Sequence, residues 1–197
     1  MSGGSAAKMS PQDATVNYQI DPSSSRFTIK VFAAGMLSAV GHNPTIAVAD
    51  YSGELGVSPG AIEKSAVRVT VRADSLTDTD DVSQKDKADI ENRMKNEVLE
   101  TSRFPEISFE STGVTTTSMG GAQYIAKVSG TLTLHGATRN LTIACQTSIA
   151  DDSIRAFGEF TLKQSDFQIK PPSFAAGMLK VKDEVKCSFD FVARKKG

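Results

Sequence analysis

Tryptophan is absent from this 197-residue chain, tyrosine occurs three times, and cysteine and histidine only twice each. Two cysteines cannot build a disulfide framework. Both sit in apolar, strand-like runs, LTIACQT around Cys145 and VKCSFDF around Cys187, and read as buried free thiols, because unpaired cysteine packs as a small hydrophobe. Two scattered histidines and two such thiols lack the close spacing of a zinc site, so no metal is expected. No G-x-S-x-G, H-E-x-x-H or phosphate-cradling glycine loop is present, which leaves no recognisable nucleophile, zinc-protease or nucleotide motif. A net charge of −1 lacks the basic surplus of a nucleic-acid binder. No run approaches the ~18 to 20 apolar residues that a membrane span requires.

The opening stretch, MSGGSAAKMSPQDAT, has neither a basic nor a hydrophobic region of the kind that makes a secretory signal. Residues 1–15 therefore read as a flexible leader and 16–197 as a single domain. As the chain stands this points to the cytoplasm, and to the periplasm or secretion if the native start lies upstream.

What the chain does contain is short runs with period-two alternation, bounded by Gly, Pro, Asp and Ser. RFTIKVF puts Phe27, Ile29 and Val31 on one face, and SAVRVTVRA does the same with Val67, Val69 and Val71. TIAVADYSGELGV, EISFESTGVT (with Phe109), YIAKVSGTLTLH, NLTIACQTSI, SIRAFGEFTLK and EVKCSFDFVAR complete eight strands, with a short run, VNYQI, ahead of the first. Gly53 inside the second strand suggests a bulge or tight bend. One segment differs. KDKADIENRMKNEVLE spaces Ile90, Met94 and Val98 at helical intervals, with Leu99 one step round, and predicts one amphipathic helix lying on a narrow apolar stripe. The acidic run DTDDVSQKD before it lacks the glycine and terminal glutamate of a calcium loop. It suits a helix N-terminus capped by Asp80, Asp81 or Ser83.

Eight antiparallel strands with one helix are most economically closed as a meander barrel, which removes exposed edges. The fold class expected is thus all-β: an eight-stranded antiparallel, lipocalin-like barrel, with the helix between strands 3 and 4. Connections 1–2, 3–4 and 7–8 are long and share one end, whereas SPGAIEK, TTSMGGAQ and ADD at the other end are short. Closure also places strand 1 beside strand 8. It thereby brings together two copies of one hexapeptide, FAAGML at Phe32–Leu37 and at Phe174–Leu179. Their Ala and Gly residues permit close backbone approach. Phe32, Met36, Leu37, Phe174, Met178 and Leu179 would then form either an apolar collar at an open mouth or a plug at one end of the core. Eight strands leave room for side chains or for one small ligand. Without Trp, and with many inward Ala, Val, Thr and Ser, the interior reads as underfilled.

Several ordered stretches resemble the YceI-like proteins: YQIDPSSSRFTIKV, RADSLTDTD followed by a helix and VLETSRFPEISFEST, GTLTLHGATRNLTI with its G-x-L-T-L-x-G-x-T signature, and FTLKQSDFQI. The likeness runs from about Tyr18 to Ala193. It implies an extended lipocalin-like barrel that holds long isoprenoid or other lipid chains in its lumen.

The expected function is therefore storage, sequestration or transport of a long-chain hydrophobic ligand, of isoprenoid or isoprenoid-quinone type, with a fatty-acid type as the variant. The lipid itself is the bound ligand, with no further cofactor, no nucleic-acid partner and no enzymatic activity; an open apolar rim could also support a homodimer. Candidate ligand-binding residues are Phe27, Ile29, Val31 and Phe109 in the lumen, and Phe32, Met36, Leu37, His42, Phe174, Met178 and Leu179 at the mouth. His42, in GHNP, caps the turn before Pro44 or meets a ligand head group; His135, in TLHGATRN, reads as a hairpin residue. Arg93, Lys95, Arg103, Lys170, Lys180 and Lys182 lie in the connections at the mouth, where one or two could meet an anionic head group. Two other readings stand beside this one. One is a rim hydrolase using His42 with a carboxylate such as Asp50. The other is a filled barrel serving only as an interaction module.

Overall fold

The computed structural model describes residues 15–35, 43–58 and 61–196. Its strands form a closed antiparallel barrel of eight members, with one helix of 15 residues. Three members are interrupted. β1 comprises Val16–Ile20 and Arg26–Lys30, β2 comprises Thr45–Val48 and Tyr51–Val57, and β3 comprises Ala66–Arg72 and Leu76–Asp78. The other five run unbroken: β4 Glu106–Gly120, β5 Gln123–Leu134, β6 Ala137–Ile149, β7 Ser153–Lys163 and β8 Glu184–Lys195. Each strand pairs with the next, and β8 closes the ring on both halves of β1, through Ile20↔Ala193 and Phe27↔Phe189. The expected topology is thus realised, with the helix between β3 and β4. The leader expected over 1–15 lies outside the described residues except for Thr15.

VNYQI is the first half of β1 rather than a separate run ahead of it. The break comes at Asp21–Ser25, where Pro22 has no N–H for the ladder and a short 3₁₀ turn forms. Asp21 holds that turn down. Its carboxylate accepts from the Ser23 N–H, from the hydroxyls of Ser23 and Ser24, and from Arg194 Nε on β8 at 2.9 Å. These donors, Ser23 first and Arg194 next, hold its pKa well below the usual carboxylate range. A depressed folded-state pKa adds stability that is present above the ordinary value and lost as pH falls toward the folded one. Asp21→Asn should therefore melt a few degrees below the wild type at pH 7. That gap should shrink below about pH 4, near the ordinary Asp range, in paired thermal melts.

Other departures from the sequence reading are local. Gly53 is not a bulge but pairs regularly with Val69; β2 bends instead at Ala49–Asp50. A Cβ on Gly53 would come within 2.3 Å of Ile20 Cδ1, so the glycine makes room for that side chain. TTSMGGAQ is mostly strand, because β4 reaches Gly120 and β5 starts at Gln123, leaving a two-residue turn. His135 and Gly136 make the other tight hairpin, both with positive φ, 51° and 74°, as type I′ turns require.

The helix α1, Gln84–Arg93, starts at Ser83, whose hydroxyl accepts from the Asp86 N–H. It continues as a π-helical turn, Met94–Val98, closed by Leu99 N–H donating to the Met94 carbonyl. A π turn inserts a residue into the helical repeat and often marks a functional surface. Here Val98 and Leu99 both reach the same apolar cluster as Leu132, Leu134 and Phe167. Glu91 fastens the helix to β3 by accepting from the Thr77 hydroxyl and the Asp78 N–H. Burial raises its pKa, but those two hydrogen bonds and Lys95 and Lys87 outweigh it, so the net shift is downward. Among the described residues, no helix is long and apolar enough to cross a membrane.

Candidate functional site

Inward positions of a barrel should fill its interior, but here they leave a cavity of about 870 Å³. The reason lies in side-chain size. Val67, Val69, Val71, Val128, Ile143 and Ala156 line the wall where larger residues could stand. Below, Tyr18, Ile20, Tyr51, Val57 and Ala193 are buried and close one end. An aromatic group rests on that floor. Phe27 meets Tyr51 edge-on at 4.7 Å, and Phe189 and Phe191 stack at 6.0 Å from each other and 6.3 Å from Phe27. Such pairs add roughly 0.5–1.5 kcal/mol each beyond their burial, and they strengthen the packing at this end.

The opposite end is covered by long connections rather than by core. Ile90, Met94, Val98 and Leu99 turn the helix stripe toward the cavity. Beside it the two hexapeptides meet, as closure required. Ala33–Ala34 pairs with Leu179–Val181, which pairs in turn with Ser173–Phe174, in a small separate sheet. A Cβ on Gly35, which has φ +92°, would lie 2.6 Å from the Met178 carbonyl oxygen, so only glycine allows this approach. Phe32, Pro172, Leu179 and Val181 face inward from this rim.

Of the residues expected at the site, Phe27, Ile29, Val31, Phe32, Phe109 and Leu179 line the cavity. Met178 does not; it is 44 % exposed. Phe174 contributes backbone pairing to Leu179. Met36, Leu37 and His42 lie outside the described residues. The helix stripe and the wall residues Val69 and Ile143 were readable as inward by their spacing, but not as cavity lining. That depends on how far the barrel is from being filled.

Among the described residues that line the cavity, the charged ones are Asp86, Asp89, Arg93 and Lys180, which border its mouth. Lys182 Nζ stands 5.9 Å from the centre of the Phe32 ring, while Lys95 and Arg103 are paired with Glu91 and Glu100. His135 is a clamp. Its Nε2 is 2.8 Å from Glu100 Oε2 and its Nδ1 3.3 Å from the Phe167 carbonyl, joining the end of the helical segment to the 5–6 hairpin and the 7–8 connection. Asp50 is engaged by Arg72 Nε at 3.2 Å on the outer surface.

Both cysteines face the cavity and are free. Burial raises the Cys145 thiol, against a hydrogen bond to Thr147, and pushes Cys187 up to about 12. The thiolate is the reactive form, so Cys187 should react with maleimide at pH 7 at least a hundredfold more slowly than free cysteine. Reduced and non-reduced samples should run identically on gels. A mobility difference would contradict the strand order, which keeps β7 between the two.

Comparison with known proteins follows this geometry. A similar fold occurs in BcnA of Burkholderia cenocepacia, with a TM-score of 0.68 and 17% identity over 88% of this chain and 98% of that one. It occurs also in a polyisoprenoid-binding domain from Saccharophagus degradans implicated in plant cell wall breakdown, with a TM-score of 0.64 and 15% identity over 92% and 99%. The YceI protein of Campylobacter jejuni aligns with a TM-score of 0.59 and 16% identity over 77% and 85%. No curated protein matches significantly. The YceI-like domain pattern matches residues 18–193, the span that carries both the barrel and its cavity, and the chain belongs to the YceI-like family.

Proposed function

We propose that this protein binds a long-chain hydrophobic ligand inside its barrel, with an isoprenoid or isoprenoid-quinone tail as the cargo, for storage, sequestration or transport. The observation that carries this reading is an unfilled apolar lumen of about 870 Å³, closed below and opening beneath a helix and a rim of apolar side chains. Burying apolar surface contributes roughly 0.8 kcal/mol per CH₂, so one five-carbon unit gains about 4 kcal/mol before ordering costs are subtracted. No polar partner is needed along the wall. The polyisoprenoid-binding relative supports the choice of tail.

Native mass spectrometry of protein purified without added lipid tests this. A co-purifying hydrophobic species, or uptake of a prenyl lipid by the delipidated protein, is expected. A clean apo mass with no uptake of prenyl lipids or fatty acids would overturn it. The rim pattern adds a sharper expectation. Leu179 lines the mouth and Met178 does not, so Leu179→Glu should weaken lipid binding at least tenfold while Met178→Glu leaves it nearly unchanged. Neither should move the melting temperature much, because both sit on the rim.

A further inference from the structure

Both nitrogens of the His135 ring face oxygen acceptors, and a neutral imidazole has only one N–H to give. Nε2 stands 2.8 Å from Glu100 Oε2 and Nδ1 3.3 Å from the Phe167 carbonyl oxygen. The cationic ring, with a donor at each nitrogen, satisfies both at once. We infer that His135 is a pH-operated latch on the cover of the barrel, which tightens as the ring takes up a proton and loosens when it is neutral. This rests on the proposed hydrophobic-ligand reading only in taking the covered space for the place that a ligand enters.

Position makes this contact a latch rather than a local pair. Glu100 directly follows the apolar stripe over the mouth, of which Val98 and Leu99 pack on the cluster of Leu132, Leu134 and Phe167. Phe167 belongs to the connection that leads to Pro172 and Leu179 at the rim. His135 is in the 5–6 hairpin, so one side chain ties the helical cover to the hairpin and to the rim connection. Glu100 has φ 45° and His135 φ 51°. A helix that ends in a left-handed residue usually has glycine there, and side chains held in that conformation tend to mark functional sites. The imidazole is 10 % exposed, so water has little room to replace a missing donor. Glu91 fastens the helix to Thr77 and Asp78 nearer its middle, which leaves the C-terminal turn as the part that the latch governs.

Charge reaches the ring from the turn after the helix, through Glu100 and Arg103. Arg103 Nη1 is 3.8 Å from the other Glu100 oxygen, and its guanidinium lies 4.9 Å from the centre of the Phe104 ring. Arginine stays charged at every ordinary pH, so it supplies no pH response. The Phe104 ring, 4.4 Å from the imidazole, closes one side of it. The 3₁₀ turn Gln164–Phe167 offers its neutral carbonyl, with Lys163 and Asp166 exposed beside it, and Arg139 on the hairpin is exposed as well. Closure of the latch takes up a proton, so it is favoured as pH falls and lost as pH rises.

The test is amide hydrogen exchange on the delipidated protein, corrected for the intrinsic effect of pH on exchange. Protection of Met94–Val98 should rise about tenfold from about pH 7.5 to about pH 5.5, across the range in which histidines change charge. His135→Asn places there a residue that tolerates the left-handed conformation and does not titrate, so its protection should be pH-independent. Glu100→Gln keeps an oxygen acceptor without the charge, and should cut the response below about threefold. If His135→Asn does not fold, Glu100→Gln decides. The chain has one other histidine, His42, and His42→Asn should respond as the wild type does. Entry of the neutral probe N-phenyl-1-naphthylamine should be about fivefold slower at the lower pH, and equal at both in His135→Asn. Protection that ignores pH, or a response lost with His42 and kept without His135, would overturn the latch while leaving lipid binding intact. Protection that changes while probe entry does not would overturn its control of entry. A lumen that takes up no probe at either pH would overturn the hydrophobic-ligand reading, and hydrogen exchange would still decide the latch.

Discussion

Gly130→Val should lower the melting temperature by about 6–12 °C, the shift that roughly 3 kcal/mol produces in a domain of this size. Gly130 is the first glycine of GTLTLHG and sits on β5 facing inward. A Cβ there would stand 2.4 Å from the Glu110 carbonyl oxygen and 2.6 Å from Phe109 Cζ. The carbonyl belongs to the neighbouring strand, so it cannot step aside as a side chain can. Relief would require β4 and β5 to part at the register shift between Ser111 and Gly113. The Phe109 ring, part of the cavity wall, would be displaced as well. Calorimetry of the variant checks this, and a melting temperature unchanged within a degree or so would contradict the close packing of β4 on β5.

The second large effect concerns charge inside the lumen. Ile143 lines the cavity from β6, opposite Val128. In the free protein an aspartate there would meet water through the mouth, so Ile143→Asp should fold. With a lipid bound, water is displaced, and an unpaired carboxylate would be buried at high cost; it protonates instead. Protonating a group of ordinary pKa ~3.9 at pH 7 costs about 4 kcal/mol, a roughly thousandfold loss of affinity. At pH 5 the same step costs about 1.5 kcal/mol. The complex takes up a proton, so binding by the variant should recover about a hundredfold from pH 7 to pH 5. Wild-type affinity and that of Ile143→Asn should show no such recovery. Fluorescent-lipid titrations at the two pH values read it directly, and a pH-independent Ile143→Asp would mean that position 143 does not meet the ligand.

Much of this architecture was legible because a half-solvated strand writes its faces into alternate residues. RFTIKVF, SAVRVTVRA and EVKCSFDFVAR gave the direction of their side chains, and closure of the meander then brought Ala33–Ala34 beside Leu179–Val181. What alternation cannot show is where the ladder is interrupted by backbone alone. The excursion at Asp21–Ser25 depends on Pro22 and on the hydrogen bonds of Asp21; the sequence around it reads as two separate strands. The bend at Ala49–Asp50 has no glycine to announce it, whereas Gly53, which looked like one, is spent on Ile20. The rim shows the same limit. Within FAAGML nothing decides whether Met178 or Leu179 faces inward. That is set by the 3₁₀ turn at Ala175–Gly177, where Ala176 takes the left-handed conformation, φ 52°. The size of the cavity was equally hidden, since it is the difference between a barrel's interior and the side chains sent into it.

A crystal structure of the protein saturated with a long-chain prenyl lipid tests the central claim most directly. The account predicts one continuous tail running from Phe191 on the floor, between Val69 and Ile143, to Phe32 and Leu179 at the mouth, with its polar end beyond the rim. A lumen holding only water, with the lipid lying instead on the outer wall where Ile125 and Phe157 are exposed, would contradict it.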